Sequence, residues 1–118
     1  MEITLYDKRG EPTAYIAEDK ETIYLWDGHA VAYLDTDKVY GFNGCHLGWF
    51  IQGIIYDNNG QKIGFIQSKC PSITSISPIK SIKSIKSIKS IRSIPNIRPI
   101  LSSGYSNQEL EAFLEAGT

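Results

Sequence analysis

The chain has 118 residues, 42% of them hydrophobic, which allows one compact domain and an appendage. Twelve Lys/Arg face thirteen Asp/Glu, a formal net charge of −1 that argues against a uniformly basic nucleic-acid binder. Two cysteines are too few for a disulfide scaffold, and no apolar run is long enough to span a bilayer.

The near balance of charge hides an asymmetry. Residues 1–70 carry six Lys/Arg and ten Asp/Glu, residues 71–101 six Lys/Arg and no acid, and the last stretch only Glu109, Glu111 and Glu115. An acidic body and a basic arm can neutralise one another, dock on a copy, or meet an outside polyanion. The start, MEITLYDKRG, has neither a basic leader nor an apolar core. A cytoplasmic protein with reduced thiols is expected.

Four segments align: LYDKRGEPTAYI (5–16), IYLWDGHAVAYL (23–34), VYGFNGCHLGWF (39–50) and IYDNNGQKIGFI (55–66). Tyr6, Tyr24, Tyr40 and Tyr56 are equivalent, as are Gly10, Gly28, Gly44 and Gly60, at spacings of 18, 16 and 16 residues. Asp27-Gly28, Asn43-Gly44 and Asn59-Gly60, with Arg9-Gly10 in the same place, predict a tight primed turn in each unit, and period-2 alternation predicts flanking strands. Eight short strands follow. Strict alternation puts Thr13, Val31, Leu47 and Ile63 on one face with Tyr15, Tyr33, Trp49 and Phe65. Ala14, Ala32, Gly48 and Gly64 take the other face with Ile16, Leu34, Phe50 and Ile66. A small residue at one place in every unit marks a close approach, as where four hairpins converge on a pseudo-fourfold axis.

From Ile73 to Ile100 isoleucine recurs at every third position, ten times. Period three fits polyproline II or a 3₁₀-helix, and Pro78, Pro95 and Pro99 favour polyproline II. The isoleucines then form one stripe, beside stripes of serine and of Lys/Arg. An exposed apolar stripe is a liability, so cover is expected. Fully extended, the run reaches about 85 Å, against a radius of gyration of about 11 Å for the hairpin body. The tail therefore bends around the body or packs on other copies. The second is the preferred expectation, with Ile79, Ile82, Ile85, Ile88, Ile91 and Ile94 as the self-association residues. A disordered linker is the plainer reading, and the isoleucine content argues against it.

At the C-terminus, Ser106 with Glu109 matches a capping box, Leu110, Phe113 and Leu114 fall on one helical face, and Gly117 suits a stop. The helix is expected near 106–116.

The YDxxGxxxAYI-like units, with IYLWDGHAVAYL…VYGFNGCHLGWF at their centre, resemble the four-fold β-flower domain of small bacterial and phage-type proteins. The tail PIKSIKSIKSIKSIRSIPNIRPI and the segment ELEAFL stand where such proteins carry an Ile-Lys triplet tail and a short acidic-aromatic end. The resemblance covers nearly the whole chain and implies the fold. It implies no activity. This tail departs from the pattern in using Ser where Pro more usually begins a triplet.

Candidates for chemistry are few. His29 and His46, following turn glycines, are expected at exposed hairpin tips, and with Cys45 they could supply metal ligands, but the spacing matches no zinc pattern. Cys45 and His46 are strand neighbours pointing to opposite faces, which suits no nucleophile–base pair. Asp7, Asp27 and Asp57 are explained by turn chemistry. No catalytic, metal or cofactor residue is assigned.

The sequence thus predicts an all-β protein. Four β-hairpins form a pseudo-fourfold flower (1–68), an extended polyproline-II-like Ile-triplet basic tail follows (69–101), and a short amphipathic helix closes the chain (102–118). It is read as a non-enzymatic assembly or binding protein and a homo-oligomer. The alternatives are a protein that sequesters a small signal molecule, or a polyanion binder using Lys80, Lys83, Lys86, Lys89, Arg92 and Arg98. The lack of tail aromatics reads against nucleic acid, and the lack of a second anchor against a membrane.

Overall fold

Alternating β-branched and aromatic residues give each unit two short strands, and the computed structural model, which describes residues 2–76, 80, 83, 89–95 and 99–118, joins them into four hairpins. These are β1 (Ile3–Tyr6) with β2 (Pro12–Ile16), β3 (Thr22–Leu25) with β4 (Ala30–Asp35), β5 (Lys38–Gly41) with β6 (His46–Ile51), and β7 (Ile54–Asp57) with β8 (Lys62–Phe65). Neighbours pair antiparallel in chain order and β8 meets β1, closing a barrel. The closure is narrow. Other hairpins are joined by three or four register pairs, whereas β8 and β1 share only Tyr6↔Phe65.

Every unit carries a bulge at the same place. The register slips between Leu5/Tyr6, Ile23/Tyr24, Val39/Tyr40 and Ile55/Tyr56, so Thr13, Val31, Leu47 and Ile63 are the residues passed over. This corrects the face assignment made from strict alternation. An extra residue in one strand breaks the period-2 rule. It carries Val31 and Ile63 into the main core beside Ala14 and Ala32, with Leu47 packed against it. Tyr15 and Tyr33 lie in two separate aromatic clusters.

The tips also differ from expectation. Gly10, Gly28, Gly44 and Gly60 have φ between 80° and 95°, while Arg9, Asp27, Asn43 and Asn59 stay out of the positive region. Each glycine N–H donates to the carbonyl three residues back, at 2.9–3.0 Å. That is a type I turn followed by a left-handed glycine, not a primed two-residue turn, and it belongs with the bulge. Asp7 Oδ1 accepts the amides of Arg9 and Glu11, and Asp57 Oδ1 those of Asn59 and Gln61.

The core holds Leu5, Ile16, Ile23, Leu25, Val39 and Ile55 from the strands, with Leu110, Phe113 and Leu114 from the helix α1 (Leu110–Glu115). Burying three of its six residues supplies what so short a helix lacks alone. The small residues face it: a Cβ on Gly48 would lie 2.9 Å from Phe113 Cζ, and one on Gly64 would lie 2.9 Å from Leu110 Cδ1. Part of the expected close approach is therefore made by the helix. The capping box does not form. Glu109 is the N-cap without a side-chain hydrogen bond, Ser106 Oγ accepts the Gln108 amide, and the Glu109 carboxylate takes two bonds from Arg9.

Candidate interaction surface

Where one hairpin meets the next, cross-strand pairing brings aromatic rings together. Tyr15 and Tyr24 stack at 5.6 Å between ring centres, with Trp26 edge-on to Tyr15 at 5.7 Å. Tyr33 and Tyr40 stack at 6.0 Å, with Phe42 tilted against Tyr33 at 5.6 Å. In the third groove Trp49 pairs with Tyr56, and His46 lies 4.7 Å from Trp49 and 5.2 Å from Tyr40. His46 is only 7% exposed, which corrects its expected place at a solvent-facing tip. The start of β6 turns it inward while Cys45 stays exposed. Burial pushes its imidazole below the ordinary range, and a backbone hydrogen bond with Gly48 opposes this. His29 is exposed and pairs with Asp27 at 2.9 Å.

The first two grooves receive cations from the tail. Lys80 lies 4.3 Å from the centre of Tyr15 and 5.1 Å from that of Trp26, and its ammonium meets Glu2 at 2.6 Å. Lys83 joins the same carboxylate at 2.9 Å, beside Tyr15 and Tyr24. Nine residues on, the arrangement recurs. Lys89 sits 4.2 Å from Tyr33 and 2.9 Å from Glu21, and Arg92 sits 5.6 Å from Tyr40 and 2.6 Å from Asp35. The Lys80 hydrogen bond, then that of Lys83, holds the Glu2 carboxyl below its ordinary range, and the Glu2 bond raises Lys83. Burial raises the hydroxyls of Tyr15 and Tyr33. Cation–ring contacts of this kind are worth about 0.5–1 kcal/mol each where partly exposed.

Serine amides anchor the tail backbone. Ser75 N–H donates to Gly10 O at 2.8 Å, Ser93 to Gly44 O at 2.8 Å and Ser102 to Gly60 O at 2.9 Å, while Ser90 donates to Phe42 O at 2.7 Å. Among the described residues, three of the four tip carbonyls are thus taken by tail residues standing at multiples of three. The third stripe points away. Ile73, Ile76, Ile91, Ile94 and Ile100 are 91–97% exposed.

Of the two expected courses for the tail, the described residues take the one around the flower of their own chain. Twenty-seven residues separate Ser75 from Ser102, a reach of about 85 Å in an extended helix. Three-quarters of the perimeter of a body 37 × 35 Å across is about the same. Among the described residues, cover comes to the cations and serine amides, not to Ile73, Ile76, Ile91, Ile94 or Ile100. Of the expected self-association residues, Ile91 and Ile94 are exposed on this belt, and Ile79, Ile82, Ile85 and Ile88 lie outside the described residues. Of the expected polyanion set, Lys80, Lys83, Lys89 and Arg92 face rings and carboxylates, and Lys86 and Arg98 lie outside the described residues. The missed element is the acidic and aromatic receiving groove. Glu2, Glu21 and Asp35 beside paired tyrosines were its signal.

Among the described residues no three His, Cys, Asp or Glu side chains gather as a metal site, and no helix is long and apolar enough to cross a membrane. Cys45 and Cys70 are free thiols. A family model described as "4-fold beta flower protein" matches residues 3–114. No curated protein and no solved structure matches the chain.

Proposed function

Because the chain belongs to the 4-fold beta flower family, a family of unknown function, we propose that its role lies in the surface it presents: it is an assembly protein whose isoleucine collar joins copies of the chain. The observation that carries this is the near-complete exposure of five isoleucines on a backbone that is itself clamped. Solvent-facing apolar side chains in such a row ordinarily mark an interaction site. Burying an isoleucine gains about 1.5–3 kcal/mol, at about 25 cal/mol per Å², so each offers on the order of 100 Å². Five offer on the order of 500 Å², more than half of the roughly 800 Å² one partner gives to a standard interface.

The repeat of environment every third residue supports a polyproline-II-like tail, since only three residues per turn keeps one stripe inward and another outward. A belt already fixed in this form loses little entropy on association. The pairing of four cations with the flower favours an apolar partner over a polyanion. The test is the mass of the full chain by light scattering across a concentration series. An oligomer that shrinks on Ile91→Ser with Ile94→Ser is expected. A monomer at every concentration defeats the proposal.

A further inference from the structure

Strand pairing is sparsest at the β8–β1 seam. Ile3, Thr4 and Leu5 have no register partner on β8, since only Tyr6↔Phe65 joins the strands. Among the described residues no tail cation lies over Tyr6 or Phe65, in contrast to the first two grooves. A cavity of about 420 Å³ opens there, walled by Ile3, Tyr6 and Ile66 and rimmed by Glu2, Thr4 and Gln67. Its size lies within the roughly 300–1,000 Å³ of ligand pockets. Ile3 at its mouth is 41% exposed. The rim carboxylate of Glu2 is turned to Lys80 and Lys83, so it does not oppose an apolar entrant.

We infer that this seam is a socket for an isoleucine from the collar of a second copy. The inference rests on the assembly reading and says where the collar goes. Branched side chains project from the belt, and a cavity with apolar walls sits elsewhere on the same molecule. The free flank of β1 lies beside that cavity, where an extended tail can add main-chain hydrogen bonds to the side-chain insertion. Knob and socket are different sets of residues, with Gln67 of the socket bonding Thr74 between two of the knobs at 3.3 Å. The contact is therefore heterologous, and its product is a ring or an open head-to-tail chain.

The experiment is a complementation. One full-length variant loses the knobs (Ile73, Ile76, Ile91, Ile94 and Ile100, each to Ser). A second carries Ile3→Lys, and a third, Gln67→Arg, blocks the exposed side of the rim should the second fail to fold. By light scattering the wild type should grow in mass with concentration. The knob variant and either socket variant should each stay monomeric alone. Mixed in equal amounts, the pair should double in mass to a 1:1 heterodimer, because one intact knob then meets one intact socket. Socket variants that assemble like the wild type, or a mixture that stays monomeric, overturn the socket and leave the collar standing. A monomeric wild type overturns both.

Discussion

Ser93 donates its backbone N–H to the carbonyl of Gly44 at 2.8 Å, and Tyr40 returns a hydroxyl to the Ser93 carbonyl at 3.2 Å. The belt thus holds its flower through the main chain at the point where Arg92 covers the ring of Tyr40. Ser93→Pro removes the donor while keeping the extended backbone that proline prefers. It should cost about 0.5–1.5 kcal/mol in denaturant unfolding. Ser93→Ala, which keeps the amide, should change stability by less than about 0.5 kcal/mol.

Acid should loosen the protein in two stages. His46 has its folded value pushed down by burial, so its contribution is intact above the ordinary imidazole range and is lost as pH falls through that range toward the folded value. Glu2 is also pushed down, by Lys80 first and then Lys83, so its contribution is present above the ordinary carboxylate range and lost as pH falls through its lower folded value. Unfolding free energy measured from pH 8 to pH 3 should fall in both windows. His46→Phe should remove the upper step alone, and Glu2→Gln should shrink the lower, to which Asp27, held down by the bond from the His29 backbone amide, and Glu109, held down by Arg9, also contribute. A single step common to all three proteins contradicts the assignment.

Gly48 and Gly64 occupy the same place in their units but should differ on substitution. A Cβ on Gly48 meets the Tyr56 carbonyl oxygen at 2.2 Å as well as the Phe113 ring, and backbone cannot yield cheaply. One on Gly64 meets only side-chain carbons, the nearest of them Leu110 methyls at 2.9 and 3.2 Å, which can turn aside. Gly48→Ala should cost about 1–3 kcal/mol. Gly64→Ala, matching Ala14 and Ala32, should fall within about 0.5 kcal/mol of the wild type. Thermal melts of the two variants decide it.

Thr36 holds a φ of 56° in the turn between the second and third hairpins. A β-branched residue is strained there, at about 1–3 kcal/mol. Thr36→Asn, which tolerates the left-handed region, should stabilise the chain by about 0.5–1 kcal/mol in chemical denaturation. An unchanged or lower midpoint is the contrary result.

The eight strands and the helix face were legible because tyrosine and glycine repeat in phase and because Leu110, Phe113 and Leu114 share one side. The bulges were not. A passed-over residue such as Val31 leaves no mark in a pattern read at period two, yet it changes the face of every residue on one side of it. His46 was misplaced for the same reason, being counted as part of the tip when it begins a strand. In the tail the period of three was plain, but its direction was not. Hydrophobicity alone sends isoleucine inward, and only stacked tyrosines with Glu2, Glu21 and Asp35 beside them show why lysine goes in instead.

Ser93 meets Gly44 and Ser102 meets Gly60, while eighteen residues separate Ser75 on Gly10 from Ser93 two hairpins later. Belt and ring are therefore meshed like gears, three teeth to the notch. An insertion of one residue would swing the isoleucines onto the tyrosines, the lysines onto the serine anchors and the serines into solvent from that point on. An added triplet would keep every side chain facing correctly and still carry each later anchor past its notch. Such a chain can grow without losing mesh only by gaining a hairpin and nine residues of strap together.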